Sequence, residues 1–318
     1  MILRIGLYEI TRPKEFVSDR IWIVDHTISI GTTKCFLVLG IRQEHFRQLG
    51  RPLEHQDMHV LALIPVEQSN GEIVHGQFKE LASKVGVPKC ILSDHGSDLK
   101  KGSELFLREH PDVLICYDIV HAVSRMMQRL LSRDDRWDDY RKACCQCANL
   151  TRQSGMSHLK PPKPKTKACS VVRRHGYSKR LGEQMRAAIA VPKNETAADL
   201  VNAIYEFSDG VAGQFDRQDV VPGSSEIIES VIGKGKRLLG YQSPHGMTRQ
   251  ILAMATSVVD PTADFVREAL RSCRIKHVAQ WCQKHLPKSI QAHRIRDLGK
   301  GKNGTKPAQA PGIANPKF

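Results

Sequence analysis

The sequence predicts an α/β chain built on a mixed five-stranded sheet flanked by helices, with a helical insertion before the last helix of the core. Three observations carry that reading. Short, nearly continuous apolar runs alternate with helical patterns between Arg20 and Leu131, and such runs are expected of strands covered on both faces. The order is strand, strand, strand, helix, strand, helix, strand, helix; three successive strands suggest an antiparallel meander, and the later alternation suggests parallel additions through crossover helices. Past Arg133 the composition turns to Arg, Lys, Gln and Cys.

The elements follow in order. Arg20–Thr27, Thr33–Arg42 and His59–Val66 are the first three strands. Gly71 to Val85 reads as a helix, with Ile73, Phe78, Leu81 and Val85 at helical spacing. Val87–Ser93 is a fourth strand, ending at Asp94-His-Gly-Ser-Asp98. Leu99–His110 is a helix closed by Pro111, and Val113–Tyr117 is a fifth strand feeding a helix from Asp118 to Leu131. This is the element order of the RNase H-like fold. The insertion has helical stretches near Asp134–Gln153, Ser178–Ala190 and Glu195–Ser208, around an extended basic loop, Lys160–Lys167. A helix over Ser224–Leu239 is capped by Ser224 or Ser225, with Glu226 in its first turn. Helices follow near Met247–Val258 and Pro261–His285, and the basic tail from Gly299 is expected to be disordered. The chain thus divides into a short lead (1–19), a first core part (20–132), a basic insertion (133–222), the helix completing the core (223–260), a C-terminal helical segment (261–298) and the tail (299–318).

Composition narrows the function classes. Of 318 residues, 41% are hydrophobic and 25% charged, enough for a packed core. No apolar run approaches the ~18 residues of a membrane helix, and the first residues lack the apolar stretch of a signal peptide. Lys and Arg number 48 against 33 Asp and Glu, a net charge of +15. That excess favours a polyanionic partner, nucleic acid first. Nine cysteines, an odd and sparse set, fit reduced thiols in the cytoplasm.

In this basic chain the acidic residues are the informative ones. Asp25 lies late in the first strand and Asp94 just past the fourth, and these strands are neighbours in the expected sheet. Two carboxylates that close repel unless a cation bridges them, and hard cations such as Mg²⁺ take oxygen ligands of this kind. Taken alone, Asp94-His-Gly-Ser-Asp98 is equally a turn sequence. Asp94 is preferred to Asp98 because it directly ends the strand, while Asp98 is placed to cap the next helix. Glu229 precedes Lys236 by seven residues, close to two helical turns, so both share a face with Gly233. Ile228, Val231, Ile232, Leu238 and Leu239 form the apolar stripe. The competing reading is a solvated helix face; Gly233 and Gly235 weaken it, since glycine costs roughly 1 kcal/mol inside a helix. Asp118, His121, Arg125 and Arg129 form a polar stripe expected to face the catalytic centre or DNA. Cys144-Cys-Gln-Cys147 with Cys169, His158 or His175 invites a zinc reading, but the second Cys pair of a structural zinc site is absent.

Four short stretches in this order, Trp22-Ile-Val-Asp-His-Thr27, Ser93-Asp-His-Gly-Ser-Asp-Leu99, Tyr117-Asp-Ile-Val-His121 and Ser224–Lys236, carry a resemblance. Over about residues 20 to 258 the chain resembles bacterial insertion-sequence transposases of the acidic-triad (DDE) type, with an RNase H-like core. The resemblance implies that Asp25, Asp94 and Glu229 bind Mg²⁺ or Mn²⁺, two ions in all, with Asp118, His121 and Lys236 in support. It implies cleavage at transposon ends and strand transfer into target DNA. Double-stranded DNA is then the partner, held by Arg125, Lys160, Lys163, Lys165, Lys167, Arg173, Arg174, Lys179, Arg180 and Lys234, with a homodimer or larger assembly as the active form. Glu229 and Lys236 match the Glu-x6-Lys half of a transposase signature; its preceding Tyr and Arg are replaced by Pro222 and Ser225. Such transposases carry an N-terminal end-recognition region, and only about 19 residues precede the first strand, so an N-terminally truncated copy is expected. The alternatives are a transposase-derived DNA-binding protein without catalysis, or another RNase H-like nuclease.

Overall fold

The computed structural model describes residues 1–30, 33–139, 142–143, 146, 167–192, 195–239 and 248–286. Its centre is a five-stranded sheet of β1 (Arg20–Ile30), β2 (Thr33–Arg42), β3 (His59–Val66), β4 (Cys90–Ser93) and β5 (Leu114–Tyr117), in the order β3-β2-β1-β4-β5. The first three strands pair antiparallel, and β4 and β5 add parallel. This is the expected RNase H-like arrangement. β4 and β5 are shorter than the apolar runs suggest, because Val87–Lys89 and Val113 lie outside the ladder.

Side chains alternate across the sheet with a period of two. Trp22, Val24, Phe36, Val38 and Ile91 pack on one face against α3 (Gly71–Val85) and α4 (Ser97–Glu109), around the aromatic cluster Trp22–Phe36–Phe78–Phe106. Ile21, Ile23, Leu37, Leu39, Cys90, Leu92 and Cys116 pack on the other face. That second layer contains α5 (Ile119–Leu131), most of the described insertion, and the helix that carries Glu229. In α3 the buried stripe runs through Val74, Phe78, Leu81 and Val85; Ile73, expected in it, faces solvent.

The described insertion is not a separate unit. Its helices α6 (Lys167–His175), α7 (Leu181–Ala188) and α8 (Glu195–Ala212) place Cys169, Val172, Leu181, Met185 and Ile204 in the same core as β1 and β4. A two-stranded ladder, β6 (Tyr177–Ser178) with β7 (Val220–Val221), was not legible as strand pattern and ties the middle of the insertion to its C-terminal end. Cys169 is a buried thiol in the core. Cys144, Cys147 and His158 lie outside the described residues, as do Lys160, Lys163, Lys165 and the tail from Gly299.

α9 (Glu226–Leu239) completes the core, burying Ile227, Ile228, Val231 and Ile232. The helix expected at Met247–Val258 is one short α-helical turn, α10 (Leu252–Ala255), between two 3₁₀ turns. The stretch from Pro261 to His285 breaks into α11 (Ala263–Ser272) and α12 (Ile275–His285). The N-terminal lead holds a helix of its own, α1 (Ile2–Thr11). Leu7 of α1 packs with Leu252, Cys273 and Val278, so α1 belongs to the C-terminal helical cluster.

Candidate active site

β1 and β4 run parallel in the register Ile21↔Cys90, Trp22↔Ile91, Ile23↔Leu92. The ladder ends there, so β1, which carries Asp25, is the parallel neighbour of the strand that Asp94 follows. The alternation decides which way Asp25 faces. Ile21 and Ile23 precede Asp25 in the layer that holds α9, and Cys90 and Leu92 precede Asp94 in the same layer. Asp25, inside β1, therefore lies on the α9 side of the sheet; Asp94 follows the end of β4, and both are half-buried. Asp94 Oδ1 accepts the Gly96 amide at 2.9 Å, the turn role that its sequence context suggested. Turn and ligand roles are compatible, because a carboxylate offers several lone pairs.

Glu229 lies on the first turns of α9, half-buried, with Oε1 3.8 Å from His121 Nε2. The start of α9 is fixed by Asp118. Its Oδ1 accepts the His121 amide at 2.8 Å as the N-cap of α5. Its Oδ2 accepts the Ser225 amide at 2.5 Å and the Ser225 hydroxyl at 3.1 Å. The Ile119 amide donates to the Gly223 carbonyl at 2.9 Å, and the Tyr177 hydroxyl donates to the Tyr117 carbonyl at 2.6 Å. Asp118 is 1% exposed, so it does not face DNA or the catalytic centre as its stripe suggested. It is a buried clamp between β5–α5 and α9, its charge satisfied by three donors. His121 does reach the site.

Asp98 is also not where the sequence put it. Gly96 is the N-cap of α4. The Asp98 carboxylate instead accepts the Ser69 hydroxyl at 2.6 Å and lies 3.2 Å from His26 Nδ1 and 3.9 Å from Lys34 Nζ. Burial alone would raise its pKa, but Ser69, His26, the Leu99 amide and Lys34 outweigh it and hold the carboxyl below its usual range. Burial lowers the pKa of His26, against the pull of Asp98. Burial, then Lys100, likewise lowers that of His95. Sequence reasoning passed over both histidines.

The proposed DNA contacts divide. Lys167, Arg174, Lys179 and Arg180 are exposed, as is Arg125, whose guanidinium lies 5.5 Å from the Tyr117 ring centroid. Arg173 is ion-paired with Glu226 and is half-buried, which takes it from the DNA-facing set. Lys234 Nζ sits 3.2 Å from His55 Nδ1, against the 3₁₀ turn His55–Asp57, and is likewise turned away from that role. Lys236 is in α9, but its side chain lies outside the described residues.

Asp25 in β1 and Asp94 just past β4 supply the hard oxygen donors a divalent cation takes. Among the described residues, no three metal-ligating side chains are already drawn together. The donor chemistry fits Mg²⁺ or Mn²⁺ at the two aspartates, with Glu229 across the layer beside His121.

No protein-family profile and no curated protein matches the chain. Among solved structures, it is similar to a Drosophila P element transposase in a strand transfer complex, at 11% identity and a TM-score of 0.38, over 83% of this chain and 82% of that one. It is also similar to the HTLV-2 integrase catalytic core domain in complex with magnesium, at 14% identity and a TM-score of 0.22, over 59% of this chain and 99% of that one.

Proposed function

We propose that the chain is a DNA transposase of the acidic-triad type, in which Asp25, Asp94 and Glu229 bind the metal. The observation that supports this reading is the parallel β1–β4 pairing, which makes the strand that carries Asp25 the neighbour of the strand that Asp94 follows. Two ions of Mg²⁺ or Mn²⁺ type, when bound there, supply charge to the attacking and leaving oxygens of a phosphodiester. The chain's own residues then position and orient. Asp118 fixes the start of α9, and His121 Nε2 lies 3.8 Å from Glu229 Oε1. Arg125, Arg174, Lys179 and Arg180 offer cations for the DNA backbone. The reaction is attack of water on a phosphodiester at a transposon end, followed by attack of the freed 3′-hydroxyl on target DNA, carried out by a homodimer or larger assembly. No described helix is long and apolar enough to cross a membrane, and the reading places the protein in the cytoplasm.

The test is a cleavage assay of the purified chain with Mn²⁺ or Mg²⁺ and DNA carrying the gene's own flanking sequence, beside Asp94→Asn and Glu229→Gln. Metal-dependent nicking at inverted-repeat ends, lost in both variants, is the expected result. Nicking without end preference points to another nuclease of this fold.

One observation favours a second reading. Glu229 faces a histidine, and no group of three ligands is preformed among the described residues. A transposase-derived DNA-binding protein without catalysis has that arrangement. DNA binding equal in all three proteins, with no cleavage in any, selects it.

A further inference from the structure

Each aspartate of the site is followed by a histidine: Asp25-His26 and Asp94-His95. His26 lies on the opposite face of β1 from Asp25. His26 packs on Phe36, with ring centroids 5.4 Å apart, and touches Asp98 and Ser69 at 3.2 and 3.4 Å. His95 stacks face to face on Tyr117, with centroids 4.6 Å apart and planes within 12°. Tyr117 pairs with Ser93 across β4–β5, and the Arg125 guanidinium of α5 lies 5.5 Å from its ring centroid.

His95 is also the one non-glycine among the described residues with a left-handed backbone, φ 55°. That conformation is unfavourable for a residue with a Cβ and persists only where the surroundings enforce it. No hydrogen bond enforces it through the ring: His95 Nε2 is buried and has no hydrogen-bond partner among the described residues. The backbone is held by the turn that Asp94 Oδ1 closes on the Gly96 amide and by a 3.4 Å contact from the His95 amide to Ser93 Oγ, and the ring by its stack on Tyr117.

We propose that His26 and His95 are positioning residues, His26 held on the far face of β1 and His95 held on the Tyr117 ring, that bring Asp25 and Asp94 to the separation a divalent cation bridges. A strand end is otherwise free to splay: β4 stops at Ser93, and β1 loses its pairing with β4 beyond Ile23. An anchored neighbour removes that freedom for each carboxylate separately. Asp98 and Ser69 act through His26, and Tyr117 through His95. This inference rests on the metal-binding role given to Asp25 and Asp94 above.

The test reads metal binding, independent of cleavage. Full-length chain is titrated with Mn²⁺, following free Mn²⁺ by electron paramagnetic resonance, with thermal melting as the control for folding. His95→Gly keeps the left-handed backbone and removes the ring; Tyr117→Leu removes the stack and leaves the backbone of His95 alone; Tyr117→Phe keeps the stack. We expect His95→Gly and Tyr117→Leu to weaken Mn²⁺ binding about 10-fold or more, the range seen for groups that orient metal ligands, and Tyr117→Phe to match the unsubstituted chain. Unchanged binding in His95→Gly or Tyr117→Leu overturns the inference, as does weakening in Tyr117→Phe equal to that in Tyr117→Leu. If the unsubstituted chain itself binds no Mn²⁺, the metal reading of the site falls and takes this inference with it.

Discussion

Asp118 shows how much one carboxylate can decide. Its stripe on α5 read as a face for DNA, since Asp118, His121, Arg125 and Arg129 recur at helical spacing. The structure splits the stripe at its first member, because a helix N-cap points back along the chain and not out from the helix face. Removing the Asp118 side chain leaves three buried donors unsatisfied, from His121 and Ser225. Asp118→Ala should therefore cost about 2–3 kcal/mol of stability in urea unfolding. Cleavage should fall with it, because α9 loses its tether to β5. A second residue gives a pH signature. Lys14 pairs with Glu9 at 2.9 Å and has a side chain 7% exposed; burial pushes its pKa down from 10.5 to about 8. Between pH 8 and 10.5 the unfolded chain holds a proton on Lys14 that the folded chain has released, so Lys14 adds stability as pH rises through this window. Its contribution reaches a slope of at most about 1.4 kcal/mol per pH unit. Subtracting the pH profile of Lys14→Met from that of the unsubstituted chain isolates it, and a flat difference would remove the burial argument.

At the scale of elements, α9 separates two glycines that looked alike in sequence. A Cβ on Gly235 would overlap the Met254 side chain, whereas one on Gly233 meets nothing within 4 Å. Gly235 is a packing glycine that lets α9 approach α10, and only Gly233 keeps the role of an open approach for a phosphate backbone. Gly235→Ala should destabilise by about 1–3 kcal/mol. Gly233→Ala should stabilise by up to about 1 kcal/mol, while lowering affinity for DNA; a rise in affinity would remove Gly233 from the binding face. The same contrast explains what was legible. The sheet could be read because strands covered on both faces advertise themselves as apolar runs, and β1–β5 all fell where those runs lie. Asp25, Asp94 and Glu229 could be located because charge stands out at the ends of such runs. Contacts between distant segments left no local mark: Arg173 with Glu226, Lys234 with His55, β6 with β7. One signal was present and unread, the repeated Asp-His dipeptide.

For the whole molecule the net charge of +15 is the dominant fact, and the fold shows how it is spent. One cation expected to hold DNA is ion-paired at an element junction, where Arg173 closes α6 onto α9; Arg186, outside that set, pairs with Asp209 between α7 and α8. Arg174, Lys179 and Arg180 remain exposed around the α6–β6–α7 turn, close in sequence to Tyr177, whose hydroxyl bonds the end of β5. Of these, Arg180 faces only Glu183, at 3.8 Å and with both side chains about four-fifths exposed, a pairing that solvent reduces to little. These three cations are thus placed on a segment anchored beside the candidate active site and are available to phosphates. Each phosphate neutralised releases condensed counterions, so the logarithm of the binding constant falls with the logarithm of salt by roughly 0.9 per contact. Replacing Arg174, Lys179 and Arg180 together by alanine should therefore flatten that slope by about 2.7. Folding should be untouched, since none of the three is buried. Fluorescence anisotropy on a duplex from 50 to 300 mM salt measures the slope directly. A slope unchanged by the triple substitution would move the DNA path away from the insertion, leaving Arg125 and the face of α9 as its remaining described route.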